Sequence, residues 1–167
     1  MWAGASFYVS SNSGSSFKKV TGNLPDRYYL DIKISHHDDN VVCVTLLSFG
    51  TCHLYSTKDG GATWDGIGME LPDLPASAVE IDPDNYRHIY VGNDFGVYVS
   101  TDYGSTWKAL KDGMPTAVLV MDLVVSPSDK KIRAVTHGNG VYERSLLSAT
   151  SIEKQKLPER AKYCTVP

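Results

Sequence analysis

One pattern occurs three times in this chain, as SSNSGSSF at residues 10–17, TKDGGATW at 57–64 and STDYGSTW at 100–107. Each copy has a hydroxyl residue first, Asp or Asn third, Gly fifth, a hydroxyl residue seventh and an aromatic residue eighth. The fifth-position glycines are 47 and 43 residues apart. Self-similarity at such a period indicates one supersecondary unit that is repeated. We name the three copies box 1, box 2 and box 3.

The sequence around the boxes predicts short strands. Around box 3, β-rich runs at 77–82, 88–92, 97–100 and 107–110 are separated by turn-forming residues. Around box 2 the corresponding runs are 29–35, 41–46, 53–56 and 64–69, and a last repeat has 121–126, 132–136 and 141–144. Near box 1 we expect only 7–10 and 17–20, with 1–4 as the end of an earlier strand.

Four short antiparallel strands in about 44 residues make one propeller blade. The predicted fold is therefore all-β, an arc of three to four four-stranded propeller blades. We divide it into a partial blade (1–24), two blades (25–71 and 72–114), a three-stranded last blade (115–146) and a polar tail (147–167). We name the strands of a blade A to D in chain order, so that each box is a C–D turn.

Each box has the chemistry of a folded turn. The acidic or amide side chain can accept backbone N–H bonds, the glycine permits a positive φ, the hydroxyls cap backbone groups, and the ring packs between layers. We assign this structural role to Ser10, Asn12, Gly14 and Phe17 in box 1, to Thr57, Asp59, Gly61, Thr63 and Trp64 in box 2, and to Ser100, Asp102, Gly104, Thr106 and Trp107 in box 3.

These boxes resemble the Asp-box, or BNR, repeats of sialidases, xyloglucanase-type glycoside hydrolases, sortilin-type receptors and photosystem II assembly factors. VSTDYGSTW and AVTHGNGVY are similar to closing blades of bacterial BNR-repeat glycosyl-hydrolase-like proteins. The resemblance covers residues 1–146 and implies a propeller, without implying one function. Related families are often secreted or periplasmic, and we leave the location of this chain open. Box 1 departs from the pattern with Asn12 and Phe17, and box 2 with Thr57.

Composition argues against several classes of partner. The chain has 167 residues with 16 basic and 19 acidic groups, so its net charge is −3 and nucleic acid is not an expected partner. No apolar run is long enough for a membrane helix, and the first residues lack a signal pattern. The three cysteines, Cys43, Cys52 and Cys164, have no metal-ligand spacing, and a Cys43–Cys52 disulfide stays open.

Strand alternation assigns the loops to two edges. We define the upper edge by the D–A connections and the B–C turns, and the lower edge by the A–B turns and the boxes. The HHDD cluster at 36–39 is then a lower turn, and we expect neither a metal site nor a cofactor there. We expect ligand binding at the upper edge, through flat rings and polar groups. The candidate residues are Asp26, Arg27, Tyr28, Phe49, Asp94, Phe95, His137 and Asn139.

An enzymatic alternative depends on carboxylates. Asp31 and Asp122 occupy matched positions on innermost strands, and Asp94 lies on an upper turn. A glycosidase needs two carboxyl groups, one of them a general acid. The arginine triad of sialidases has no counterpart among the chain's arginines.

An open arc exposes two apolar blade faces, which a homodimer would cover. A twofold ring would have eight blades, or six if the N-terminal strands complete the partner's last blade, where 141–144 and 7–10 compete for one position. We expect a noncatalytic binding module that self-associates, with a glycan or protein ligand. The alternatives are a glycoside-hydrolase-like enzyme, a fragment of one, or an inactive remnant.

Overall fold

The computed structural model describes residues 6–110 and 113–147, which contain thirteen strands and no helix. Sheet 1 contains β1 (Tyr8–Val9) and β2 (Lys18–Lys19). Sheet 2 contains β3 (Tyr28–Ile34), β4 (Val42–Leu47), β5 (Leu54–Thr57) and β6 (Asp65–Gly66). Sheet 3 contains β7 (Ala78–Ile81), β8 (Ile89–Asn93), β9 (Gly96–Ser100) and β10 (Lys108–Leu110). Sheet 4 contains β11 (Val120–Ser126), β12 (Lys131–Thr136) and β13 (Val141–Ser145).

Every sheet is antiparallel and pairs its strands in chain order. This meander of small sheets is the predicted all-β propeller arc. The fourth strand of sheet 2 is shorter than the predicted run 64–69, because the N–H groups of Ile67 and Gly68 both donate to the Leu54 carbonyl and end the regular ladder. The prediction for residues 1–4, most of the tail and Cys164 lies outside the described residues.

Three apolar clusters fill the spaces between consecutive sheets. Leu24, Val44 and Trp64 pack between sheets 1 and 2, together with Phe7. The buried residues Val79 and Ile89 lie between sheets 2 and 3, and Leu123 and Ile132 between sheets 3 and 4. Since each pair of consecutive sheets buries apolar side chains between its two faces, the arc is held together mainly by apolar burial between layers.

All three boxes form the same hydrogen-bond network. In box 3 the Ser100 hydroxyl donates to Asp102 Oδ1 at 2.8 Å and accepts the Gly104 N–H at 2.7 Å, while Asp102 accepts the Thr106 N–H at 2.9 Å. Box 2 repeats these bonds from Thr57. The local chemistry is thus independent of which hydroxyl residue begins the box.

Box 1 keeps the network although an amide replaces the carboxylate. Asn12 Oδ1 accepts from the Ser10 hydroxyl and the Ser16 N–H at 3.0 and 2.9 Å, and its Nδ2 donates to the Ser16 hydroxyl at 2.8 Å. The box turn therefore needs an oxygen acceptor at its third position and no net charge.

Candidate functional site

The boxes and the A–B turns share one edge of the sheets. The Gly60 N–H in box 2 donates to the Asn40 carbonyl at 3.1 Å, and the Tyr103 N–H in box 3 donates to the Arg87 carbonyl at 2.9 Å. Both acceptors lie in A–B turns. The B–C turns and D–A connections, which supply the candidate binding residues, therefore lie at the opposite, upper edge.

Three aromatic side chains are exposed at the upper edge. Phe49 is 67% exposed in the β4–β5 turn and Phe95 is 51% exposed in the β8–β9 turn. Tyr28, also exposed, pairs with Leu47 at the end of β4, beside the turn that carries Phe49. The backbone around Phe95 is fixed, because its N–H donates to Asn93 Oδ1 at 2.9 Å. These rings offer flat apolar surfaces, two on turns and one at the start of a strand.

A contact that the sequence did not reveal braces the Phe49 turn. Asp73, in the connection between β6 and β7, accepts the Gly50 N–H on Oδ1 at 2.6 Å. The same oxygen lies 3.2 Å from Nε2 of His53, whose ring is buried. Asp73 thereby links the turn of sheet 2 to the connection that leads into sheet 3. Asp73 belongs to no sequence motif, so only its contacts in the folded structure reveal this role.

The remaining polar candidates are exposed and bonded mainly to local backbone. Arg27 donates to the Asp26 carbonyl at 3.0 Å, and the His137 N–H donates to the Leu119 carbonyl at 2.9 Å. Asn139 Nδ2 contacts the His137 carbonyl at 3.4 Å. Asp94 is exposed in the same turn as Phe95. The upper edge therefore combines aromatic rings with polar groups of both charges.

Asp31 is held as a scaffold residue between two sheets. Its Oδ1 accepts the Ile32 N–H at 2.8 Å and its Oδ2 accepts the Val79 N–H of the next sheet at 2.9 Å. Asp122, at the matched position of β11, accepts only the local Leu123 N–H, at 2.8 Å. The two residues occupy innermost strands on either side of β7, as the repeat predicted. With both of its oxygens bonded to backbone N–H groups, Asp31 is poorly placed to exchange protons with a substrate.

No group of three or more metal-ligating side chains occurs in the part of the chain that the structure describes. His36 and His37 are exposed in the β3–β4 turn. Cys43 and Cys52 are buried free thiols rather than a disulfide, and burial raises the pKa of the Cys43 thiol to about 12. Within residues 6–110 and 113–147, no helix is long and apolar enough to cross a bilayer.

Two carboxylates at the lower edge, in the boxes, have strongly lowered pKa values. Hydrogen bonds from Thr63 and Thr57 lower the pKa of Asp59 to about 2. Bonds from Thr106, with a smaller one from Ser100, lower the pKa of Asp102 to about 2. Both carboxylates are stabilised in the charged form, which fits a structural acceptor and not a general acid.

Comparison with known proteins identifies the architecture. No protein-family model and no curated protein matches the sequence. Similar solved structures include an ancestral GH74 enzyme, with a TM-score of 0.62 and 22% identity over 81% of this chain and 19% of that one. The GH74 xyloglucanase from Xanthomonas campestris has a TM-score of 0.62 and 20% identity, over 80% and 23% of the two chains. YCF48 bound to D1 peptide has a TM-score of 0.60 and 18% identity, over 84% and 44%.

These neighbours are β-propellers, and the likeness concerns the fold alone. The chain spans a quarter or less of the GH74 enzymes and under half of YCF48. The similar region is therefore an arc of a propeller, as the four consecutive sheets also indicate.

Proposed function

We propose that this chain is a noncatalytic binding module of the Asp-box propeller type, whose ligand contacts the upper edge. The observation that carries the proposal is the exposure of three rings at one edge, those of Phe49 and Phe95 on turns and that of Tyr28 at the start of β3. Exposed aromatic rings on a rigid scaffold bind sugar faces or apolar side chains at a small cost in conformational entropy.

Two features support a choice of ligand class. The rings are accompanied by Asp26, Asp73, Asp94 and a single arginine, Arg27, so the described upper edge favours a neutral or weakly basic ligand. A structural neighbour, YCF48, was solved bound to D1 peptide, and others are GH74 enzymes including a xyloglucanase. A glycan with exposed sugar faces and an extended peptide are the two ligands to test.

The binding test uses xyloglucan oligosaccharides and an apolar, weakly basic peptide as calorimetric probes. We expect Phe49→Ala and Phe95→Ala each to weaken binding about tenfold or more, and Tyr86→Ala, an exposed aromatic at the lower edge, to leave it unchanged. Binding that is insensitive to both upper-edge variants would contradict the proposed site.

We further propose that the module self-associates into a closed ring. Ile32 and Ile34 are exposed on the innermost strand of sheet 2, because sheet 1 contributes only two outer strands in the described residues. On the far face of sheet 4, Val124, Val135 and Val141 are also exposed. A twofold arrangement would bury these two faces against each other at two identical contacts.

Sheet 4 also carries ion pairs at its lower half. Arg133 lies 2.6 Å from Glu143 and contacts Asp129, and Lys131 contacts Glu143. These charges neutralise one another, and above them the exposed Val135 and Val141 lie beside a single carboxylate, that of Asp122. Light scattering after size exclusion tests the ring: a mass near twice 18.3 kDa is expected, and a folded monomer at all concentrations would contradict it.

A glycoside-hydrolase-like enzyme is the second candidate, favoured by the GH74 neighbours. It requires Asp31, Asp122 or Asp94 to act on a glycan. Release of reducing ends from xyloglucan by the wild type, abolished in Asp122→Asn, would establish it. Oligosaccharide binding without hydrolysis would favour the binding module.

A further inference from the structure

The boxes interlock with the preceding sheet by a repeated contact. Trp64 Nε1–H of box 2 donates to the Val20 carbonyl at 3.1 Å, and Trp107 Nε1–H of box 3 donates to the Ile67 carbonyl at 2.9 Å. Val20 and Ile67 each lie three residues after the aromatic residue of the preceding box. The indole of each of these two boxes therefore bonds to the residue that directly follows the outer strand of the preceding sheet.

The box glycines contact the same two residues. A Cβ added at Gly61 would lie 2.7 Å from the Val20 carbonyl oxygen, and one added at Gly104 would lie 2.6 Å from Ile67 Cβ. In boxes 2 and 3, the aromatic ring and the glycine thus contact the same residue of the preceding sheet, which we call the seat. The seats are Val20 for box 2 and Ile67 for box 3.

The same count places a third seat at Leu110, three residues after Trp107. Within the described residues no box follows β13, so the part of the chain that the structure describes places no box aromatic residue on Leu110. An open groove lies between sheets 3 and 4 at this point, lined by Leu110 with the apolar Val97, Met114 and Leu123, by Tyr142, and at one side by Glu143 and Arg144. The groove is where the repeat would insert the next aromatic ring.

Box 1 presents the complementary feature. Its hydrogen-bond network is complete, yet Phe17 is 66% exposed, whereas Trp64 at the same position of box 2 is 4% exposed. No sheet precedes box 1 among the described residues to offer it a seat. Within the described residues, Leu110 is thus a seat on which no box packs, and box 1 is a box with no seat to pack on.

We propose that box 1 of a second copy docks in this groove, with its Phe17 packed on Leu110. The proposal rests on the self-association proposed above and specifies its contact. Twofold symmetry makes the exchange reciprocal, so each copy gives one box and receives one.

This docking distinguishes between the two rings that the strand count allows. In an eight-bladed ring, box 1 of one copy does not contact the groove at Leu110 of the other. In a six-bladed ring, β2 of one copy becomes the outer strand of the other copy's sheet 4. The partner's β1 then competes with β13 beside β12. β13 has five paired positions with β12, whereas β1 is a two-residue strand with two pairs. We therefore expect β13 to keep its place beside β12 and β1 to be displaced.

The experiment measures the dimer dissociation constant by sedimentation, with circular dichroism to confirm folding. Phe17→Ser removes the docking ring from an exposed position and is expected to weaken the dimer at least tenfold. The matched control is Tyr8→Ser, which removes an exposed aromatic residue from the same small sheet and should change the dimer little. A dimer unaffected by Phe17→Ser would overturn the docking while leaving self-association intact.

A gain-of-affinity variant and a mixture separate the docking from general loss of stability. Phe17→Trp restores the indole donor of boxes 2 and 3 and should tighten the dimer about fivefold or more. Met114→Trp fills the groove and should weaken the dimer as Phe17→Ser does. Mixing Phe17→Ser with Met114→Trp leaves one intact groove facing one intact Phe17, so heterodimers should form where neither variant dimerises alone.

Heterodimers that fail to form, or a Phe17→Trp dimer that is no tighter than the wild type, would overturn the proposal. Ligand binding at Phe49 and Phe95 is read out separately by calorimetry. A monomer that still binds the oligosaccharide or peptide would reject the docking and the ring and retain the binding module.

Discussion

The Asp31 carboxylate in β3 accepts the backbone N–H of Val79 in β7 at 2.9 Å, across the boundary between two sheets. Glu80 makes the analogous contact one sheet further, accepting the Val125 N–H at 3.2 Å and pairing with Lys33 at 3.3 Å. Carboxylates near the centre of the arc therefore join innermost strands that share no ladder.

Replacing Asp31 by alanine should destabilise the fold by about 1–3 kcal/mol, because the buried Val79 N–H loses its acceptor. Urea unfolding at neutral pH measures the change. The matched control is Asp122→Ala, an exposed residue at the equivalent position that accepts one local N–H. Equal effects of the two substitutions would argue against a bond between sheets as the cause.

Gly104→Ala should lower the free energy of unfolding by about 3 kcal/mol or more. The residue has a φ of +84° and an added Cβ would lie 2.6 Å from Ile67 Cβ, so backbone strain and overpacking combine. Gly138→Ala has a similar φ of +78° with nothing within 4 Å, and should cost only about 1 kcal/mol. Thermal or urea unfolding of the pair isolates the cost of the close approach.

Trp107→Phe should cost about 1 kcal/mol, since it keeps an aromatic ring and loses the indole bond to the Ile67 carbonyl. Trp107→Ala should cost about 3 kcal/mol because the packing is lost as well. Comparing the free energies of unfolding of the two variants separates the two contributions. A phenylalanine variant as unstable as the alanine variant would show that the hydrogen bond, and not the ring, holds box 3.

The stability of the protein should fall as the pH is lowered from 4 towards 2. The pKa of Asp102 is lowered from 3.8 to about 2 in the folded state, so the unfolded state binds the proton first and stability declines with acidity in that window. Asp102→Asn should fold, as Asn12 shows for box 1, and its urea midpoint should decline less steeply over the same window. Identical slopes in the two proteins would rule out this linkage.

At the upper edge, the exposed turns were predictable from the sequence and the contacts between sheets were not. The alternation of strands placed Phe49 and Phe95 on B–C turns, where both are exposed. The contacts of Asp73 with Gly50 and His53 were not predicted, because Asp73 lies 23 and 20 residues from these partners and no motif links them. Asp31 was a catalytic candidate from the sequence. Its bond to the Val79 N–H exists only because sheets 2 and 3 pack side by side, so the sequence did not predict it.

The all-β propeller arc, the order of its strands and the chemistry of the box turns follow from local sequence. Those features depend on alternation within a strand and on hydrogen bonds between residues two to four positions apart, as between Ser100, Asp102 and Gly104. Which residues of one sheet contact the next sheet depends on the folded arrangement. The seats at Val20 and Ile67 and the groove at Leu110 depend on contacts between residues some forty positions apart, whose approach is set by the packing of whole sheets.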